Sequence, residues 1–311
     1  MPRKSEQDLR KERIAARKAE DDKKKKEKNE KADKLSKRLE ACKSTTRQAR
    51  VDMLKGGIII EVTNVVQARL AEAAGFTAVS IHEWVSEIAL MQGVSPRGCD
   101  PRTARMVINS VLIPVLSRVR VGHITEAKMA QAMGVNIIDE SNDLGSLPYT
   151  QYIRKKGDFS TPIVCDVMNL DECIARLGEG ASMLRTRKTP FPPSRNLTTM
   201  ATVKGIKTEL MALKTDAAKE EKFLKLFSDT DAVKKTIEEG KIPFPLYAYG
   251  GIDTPNDVAM MMHMGCAGVF IANNAFAADN PRRRLKALAT AVKSHGDIDK
   301  MVELSIGTHL R

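Results

Sequence analysis

Short apolar runs alternate with longer helical stretches along the chain after Met53. The runs are rich in Val and Ile, and in the stretches between them apolar residues recur three or four positions apart, as in βαβ units. Eight runs have this character: 56–62, 78–83, 114–121, 136–141, 162–167, 182–187, 245–251 and 268–274. Strands that are apolar on both faces are typical of parallel sheets covered by helices. The pattern therefore predicts an α/β protein, a closed (β/α)8 TIM barrel, which typically takes about 250 residues.

The helical stretches agree with this prediction in the way they end. Residues 65–75, 124–134 and 255–265 each finish on a glycine, which suits the left-handed position after many helices. No Gly-x-Gly-x-x-Gly turn follows the run at 56–62, so the sequence does not favour an open dinucleotide-binding sheet.

The longest gap between two runs lies between Lys188 and Pro245. It predicts a proline-stiffened loop at 188–196 and then two helices, around 199–214 and 217–239. They would form a helical insertion at about 199–240 on the outside of the barrel.

Residues 1–50 differ from the rest in composition and charge. They hold 19 Lys and Arg against 10 Asp and Glu, a net charge of +9 out of +12 for the chain, and they lack Phe, Tyr and Trp. We expect a Lys-rich charged extension, helical or disordered, followed by the barrel at 51–311. An arm for RNA, an acidic partner or a membrane surface is the alternative, but nucleic acid is not favoured because stacking aromatics are missing.

The cysteines and the lengths of the apolar stretches limit the classes of protein that are possible. The five cysteines are scattered without a Cys-x-x-Cys pair or a Cys/His cluster, which predicts neither a disulfide framework nor a metal site. No window approaches the ~20 apolar residues of a membrane span, and the start has no apolar signal segment. We expect a cytoplasmic protein without a membrane span.

Polar residues close most of the predicted strands, where the active sites of (β/α)8 barrels lie. They are Glu61, Glu83, Arg118, Arg120, Asp139, Glu140, Asp166, Arg185, Arg187, Gly250, Gly251, Asn273 and Asn274. Buried charges are costly unless they are paired, so some of these residues must be partners of each other. The same list would also fit arginine–carboxylate pairs that fill the mouth of an inert barrel.

Four segments at 53–75, 113–141, 179–186 and 249–276 resemble the synthase subunit of pyridoxal 5′-phosphate synthase, the PdxS/SNZ family. The resemblance implies a barrel that assembles into hexameric rings, commonly stacked as dodecamers. It also implies condensation of ribose 5-phosphate, glyceraldehyde 3-phosphate and ammonia from a separate glutaminase subunit, with no bound cofactor.

In that family a lysine on the third strand forms an imine with the pentose, and its position here holds Arg118. A guanidinium stays protonated and is a poor nucleophile, so it cannot replace the lysine in the covalent step. The second catalytic lysine, on the sixth strand, aligns with Arg187, although the adjacent Lys188 could take its role. The first-strand aspartate becomes Glu61, a shift of ~1 Å that costs about 10²-fold in rate, while Asp139 is retained.

The positions that bind phosphate in the family also differ. After the sixth strand this chain carries three prolines in 188–195 and no glycine, although backbone amides would be needed to hold a phosphate. At the eighth strand the family's Gly-Ser-Gly becomes Ala272, Asn273 and Asn274. Gly250 and Gly251 remain, and the basic residue for the second phosphate falls near Lys204. These changes predict that sugar phosphate binding is lost or weakened.

The sequence thus leads to a hypothesis and two alternatives. The hypothesis is a non-catalytic or strongly impaired homologue. It would assemble in a ring with copies of itself or with an active synthase paralogue, which it would regulate or stabilise. The glutaminase is a further candidate partner. One alternative is an active synthase that has moved its imine lysine to Lys188. The other is a scaffold recruited through its basic extension.

Overall fold

A computed structural model describes residues 20, 46–83, 98, 100–141, 152–187, 195–224 and 230–308. The chain divides into two compact units, Met1–Ser44 and Thr45–Arg311. The predicted loop at 188–194 and nearly all of the charged extension fall outside the described residues.

Eight parallel strands close into a barrel in sequence order. They are β1 (Gly57–Val62), β2 (Ala78–Ile81), β3 (Val115–Val119), β4 (Ile137–Glu140), β5 (Ile163–Val167), β6 (Met183–Thr186), β7 (Leu246–Tyr249) and β8 (Gly268–Ile271). The last strand pairs with the first, with Ile59 opposite Phe270. The predicted (β/α)8 barrel is confirmed, and each strand lies within one of the eight predicted runs.

Helices surround the barrel. They are α1 (Arg47–Asp52), α2 (Val65–Ala74), α3 (Pro101–Ile108), α4 (Ile124–Met133), α5 (Leu170–Glu179), α6 (Arg195–Thr215), α7 (Ala217–Leu224), α8 (Thr230–Glu239), α9 (Pro255–His263), α10 (Pro281–Ser294) and α11 (Ile298–Ser305). Gly75 and Gly134 end α2 and α4 with φ values of 96° and 83°, as their positions predicted. No described helix is long and apolar enough to cross a membrane.

The insertion after β6 differs from its prediction in detail. One helix, α6, covers 195–215, and the predicted stretch 217–239 holds two helices, α7 and α8, rather than one. The apolar residues of this stretch mark packing positions, and they do not distinguish one long helix from two short ones. The helix α6 packs on β6, β7 and α5, so the insertion lies on the outside of the barrel.

The short helix α1 belongs to the barrel unit, although the sequence divided the chain after Arg50. Val51 and Leu54 are fully buried and join the apolar core inside the barrel. The Tyr247 hydroxyl on β7 donates to the Leu54 carbonyl, and an Arg47 guanidinium nitrogen donates to the Gly180 carbonyl over 3.0 Å. These contacts attach α1 to the end of the barrel at which the strands begin.

Gly268 at the start of β8 lies where the barrel leaves no room for a side chain. A Cβ atom there would collide with the Gly57 carbonyl and the Tyr247 ring. We expect Gly268→Ala to lower the free energy of unfolding by about 2–4 kcal/mol, because the neighbours are backbone and a buried ring that cannot move aside. Denaturant unfolding at one fixed protein concentration measures the change.

Gly205, inside α6, provides the matched control. A Cβ there meets nothing within 4 Å, so Gly205→Ala should stabilise the protein by roughly 0.5–1 kcal/mol through helix propensity. Equal effects of the two substitutions would contradict the close packing at β8.

Candidate functional site

The barrel interior changes from apolar to ionic towards the ends of the strands. Side chains that point inward are two residues apart on a strand, and Leu116, Ile137 and Met183 belong to the buried apolar core. Two positions further along these strands lie Arg118, Asp139 and Arg185, which are at most 1 % exposed. The inward register therefore places three charges in one buried layer.

Asp139 lies between the two arginines of this layer. Its Oδ1 accepts a hydrogen bond from Arg185 Nε at 3.2 Å, and its Oδ2 lies 3.8 Å from Arg118 Nη1. Ser141 completes the cluster, because its carbonyl accepts from Arg118 Nη2 at 3.1 Å and its hydroxyl accepts from Arg185 Nε at 3.0 Å. Arg118 is thus a buried cation that contacts Asp139 and Ser141.

Tyr249 on β7 occupies the centre of the barrel beside this cluster. The Arg185 guanidinium lies 4.4 Å from the centre of the Tyr249 ring, a cation–π contact. The ring also packs edge-on against Phe270, and the two are buried in the same core. A bulky aromatic ring therefore fills the space next to Arg185, the second arginine of the layer.

The Glu61 carboxylate is engaged by groups of the same chain. Its Oε1 accepts a hydrogen bond from the Tyr249 hydroxyl and lies 3.6 Å from His82 Nε2. Its Oε2 accepts a hydrogen bond from the backbone N–H of Asn273 at 3.4 Å. With these partners Glu61 ties β1 to β7 and to the residues that follow β8.

Arg187 is held by two carboxylates at the rim of the barrel. Its Nε donates to Asp166 at 2.6 Å, and its Nη2 and Nη1 donate to the two oxygens of Glu172 at 2.8 and 3.3 Å. Burial alone would lower the pKa of the guanidinium, but Asp166, Tyr152 and Glu172 together raise it. Such a bidentate arrangement leaves Arg187 a permanent cation in a fixed geometry.

Tyr152 connects this rim to a second buried ionic group. Its hydroxyl donates to Asp166, and the Arg176 guanidinium stacks 3.4 Å from the centre of its ring. Burial, with the Asp166 charge, raises the pKa of the phenol.

Lys155 is the centre of the second group and is fully buried. Its Nζ lies 2.8 Å from Glu140 Oε2 and 2.9 Å from Glu179 Oε2, and it donates to the Ile153 carbonyl at 2.6 Å. Burial alone would lower the pKa of Lys155, yet Cys165 and the two carboxylates raise it to about 12. A lysine held charged in this way is not a nucleophile.

Three of the positions at which the resembled family binds phosphate form internal bonds, through a carbonyl at Gly250 and through side chains at Asn273 and Asn274. The Gly250 carbonyl accepts a hydrogen bond from the Thr199 hydroxyl at 2.8 Å, although Gly250 and Gly251 keep positive φ values. Asn273 Nδ2 donates to Gln67 at 2.8 Å and Asn274 Nδ2 donates to Asp253 at 3.0 Å. Ala272 at the end of β8 offers no polar side chain.

The structure does not bring every predicted site residue to the barrel mouth. Lys204 is exposed on the outer helix α6, and Lys188 lies outside the described residues. Several partners in these clusters were missed from the sequence, among them Tyr249, His82 and Lys155. The sequence could have indicated that Tyr249 points into the barrel, because it lies two positions after the inward Tyr247. Lys155 stands in a polar segment, which predicts an exposed side chain.

Comparisons with known proteins identify the family to which the chain is similar. The pattern of the SOR/SNZ family matches residues 43–249. The chain is 38 % identical over 269 residues to the "Pyridoxal 5'-phosphate synthase subunit PdxS" of Salinispora tropica, covering 84 % of this chain and 85 % of the relative. Proteins of the same name from Clostridium botulinum and Shouchella clausii are each 37 % identical; the matches cover 81 % and 83 % of this chain and 87 % and 88 % of those relatives.

The buried Lys155 predicts a pH dependence at the alkaline end. Its pKa rises from 10.5 to about 12 on folding, so its stabilisation is present below pH 10.5 and is lost as the pH rises towards 12. The loss should be on the order of 2 kcal/mol. Denaturant unfolding at a series of pH values should show a steeper fall for the wild-type protein than for Lys155→Met.

At neutral pH the same substitution should cost about 3–5 kcal/mol, because it leaves Glu140 buried without its cation. Lys128→Met on the exposed surface of α4 is the control and should change stability by less than about 0.5 kcal/mol. Parallel pH curves for Lys155→Met and wild type would contradict the ion cluster.

Proposed function

Because the chain belongs to the SOR/SNZ family, we propose that it is a non-catalytic member that assembles with active synthase subunits and regulates or stabilises them in vitamin B6 biosynthesis. The observation that carries the proposal is Arg118. The position of the imine-forming lysine holds a guanidinium that is buried and bonded to Asp139 and Ser141.

Imine formation requires a neutral amine that can attack a sugar carbonyl. A lysine can lose its proton in a buried site, but an arginine keeps its charge under all ordinary conditions. Moreover, Asp139 Oδ2 lies 3.8 Å from Arg118 Nη1, and the Ser141 carbonyl accepts a hydrogen bond from Nη2 at 3.1 Å, so oxygen acceptors hold the guanidinium in place. We therefore assign Arg118 a structural role.

Three further observations support the loss of catalysis. Glu61 is bonded to Tyr249, Arg187 is bonded to Asp166 and Glu172, and the Asn273 amide is bonded to Glu61. A sugar phosphate would have to displace these internal partners, and displacement of buried, hydrogen-bonded charges is costly.

The barrel itself supports a role in assembly. All eight strands pair around the full circle, and the apolar core inside them is continuous from Leu54 to Phe270. A chain that keeps this scaffold while its catalytic positions bond to each other can still occupy a subunit position beside an active paralogue. An active synthase subunit is accordingly the proposed partner, and the glutaminase that serves that subunit is a second one.

The absence of an imine is directly measurable. After incubation with ribose 5-phosphate and borohydride, the intact mass of the protein should be unchanged, because no lysine replaces Arg118. A catalytically active PdxS protein treated in parallel is the positive control and should gain the mass of one reduced sugar adduct. An adduct on this chain would contradict the proposal, and its location at Lys188 would favour an active synthase with a relocated lysine.

Restoring an amine tests whether position 118 is the lost site. The double variant Arg118→Lys with Tyr249→Ala provides an amine and removes the ring that packs on Arg185 in the same layer, so it should form some adduct in the same assay. Arg120→Lys with Tyr249→Ala adds a lysine two residues away, at the partly exposed end of β3, and should form none. Equal labelling of the two variants would contradict the assignment.

A further inference from the structure

Two histidines line an apolar groove on the outside of the barrel. The groove has a volume of about 810 Å³ and runs between α9 and α11. His263 is the last residue of α9, just before β8, and His295 directly follows α10, so the pair lies at the end of the barrel at which the strands begin. His263 is exposed and His295 is half-buried. The pair was not apparent in the sequence, because the two histidines belong to different helices.

The hydrogen bonds of the two rings determine which nitrogen carries the proton. His263 Nδ1 lies 2.8 Å from the Ala259 carbonyl oxygen, and His295 Nδ1 lies 2.8 Å from the Val292 carbonyl oxygen. A carbonyl oxygen only accepts a hydrogen bond, so each Nδ1 must be the donor. In a neutral ring Nε2 then keeps its lone pair, and no described residue is bonded to either Nε2. The pair thus presents two nitrogen atoms that can act as ligands.

The spacing of the two rings fits one metal ion bound by both. Their centres lie 5.3 Å apart, and the ring planes are inclined by 88°. A Zn–N bond of about 2.0–2.1 Å places a ring centre about 3.2 Å from the metal, so two imidazoles at a tetrahedral angle have centres about 5.2 Å apart. The perpendicular planes are compatible with this arrangement, because an imidazole can rotate about its metal–nitrogen bond. The helices therefore hold the rings at the distance that a shared ion requires.

Two features around the pair also favour a bound metal ion. A metal-binding histidine usually donates its other ring N–H to a carbonyl or a carboxylate, which fixes the ring, and both rings here have such a carbonyl. Both rings also lie at the C-terminal ends of helices, where the partial negative charge of the helix dipole favours a cation. The surroundings of the pair therefore suit a positively charged ligand.

We infer that His263 and His295 form a binding site for a divalent late transition-metal ion such as Zn²⁺ or Cu²⁺. These ions favour imidazole nitrogen, whereas Mg²⁺ and Ca²⁺ favour oxygen ligands. The described residues contain no group of three or more His, Cys, Asp or Glu side chains that could hold a metal, so the pair provides two ligands and water provides the others. Such an open site exchanges its ion, and the bound ion links the C-terminal ends of α9 and α10.

Calorimetric titration of the full chain with Zn²⁺, after treatment with a chelator, tests the site. We expect one ion per chain, and no binding of Mg²⁺ at this site. His263→Gln and His295→Gln each leave one imidazole and should weaken Zn²⁺ binding on the order of 10²-fold, because a second linked ligand acts at a high effective concentration. His123→Asn is the matched control and should bind Zn²⁺ as the wild type does, since it removes a histidine elsewhere and keeps a capping side chain on α4.

Two further measurements report on the ligands and on the link between the helices. Pulsed electron paramagnetic resonance of the Cu²⁺-loaded protein should detect two coupled imidazoles in the wild type and one in each single variant. Zn²⁺ should also raise the thermal unfolding midpoint of the wild type, because an ion that binds only the folded state stabilises it. The double variant His263→Gln with His295→Gln should show no such shift. Circular dichroism without metal checks that each variant is folded.

Three results would each overturn the inference. They are a wild-type chain that binds no Zn²⁺, a folded double variant that binds Zn²⁺ with the wild-type affinity, and a single coupled imidazole in the wild-type spectrum. The inference does not depend on the proposed function, and the sugar-adduct assay contains no metal. Failure of the metal site would therefore leave the loss of catalysis standing.

Discussion

Buried charge is the constraint on which the rest of this structure depends. Closing eight strands into a barrel removes water from the inward side chains, and an ionised group without water needs an opposite charge or several hydrogen bonds. Arg118, Asp139 and Arg185 meet this need together, and Arg187 meets it with Asp166 and Glu172. Two arginines therefore share Asp139 in the buried layer, whereas Arg187 has two carboxylates of its own.

This pairing of buried charges bears on the proposed function. Enzymes hold catalytic groups in geometries and protonation states that serve the reaction, often at a cost in stability. In this barrel Glu61, Asp139 and Arg187 are bonded to other groups of the same chain, and the proposal assigns their contribution to the fold. The proposed assembly role needs a stable barrel with intact outer faces, and it does not require catalytic groups at the mouth of the barrel.

The strands were predictable because buried parallel strands form runs of β-branched residues. The sequence predicted that some charged residues at the strand ends are partners, but it did not say that Arg118 and Asp139 would be one such pair. Other features depended on long-range contacts. Tyr249 and Glu61 are 188 residues apart, and nothing local links them. The sequence predicts an exposed side chain at Lys155, because its carboxylate partners come from the distant elements β4 and α5. Helix α1 was assigned to the charged extension since its burial depends on the barrel beneath it.

The bidentate hold of Asp166 and Glu172 on Arg187 has a consequence for the evolutionary history of the barrel. A return to lysine at that position would supply one compact ammonium where two carboxylates are arranged around a planar guanidinium, and one of them would lose its partner. A lysine at position 187 would thus give a less stable protein. Pairings of this kind would make the proposed change of role hard to reverse, even where the fold remains the same.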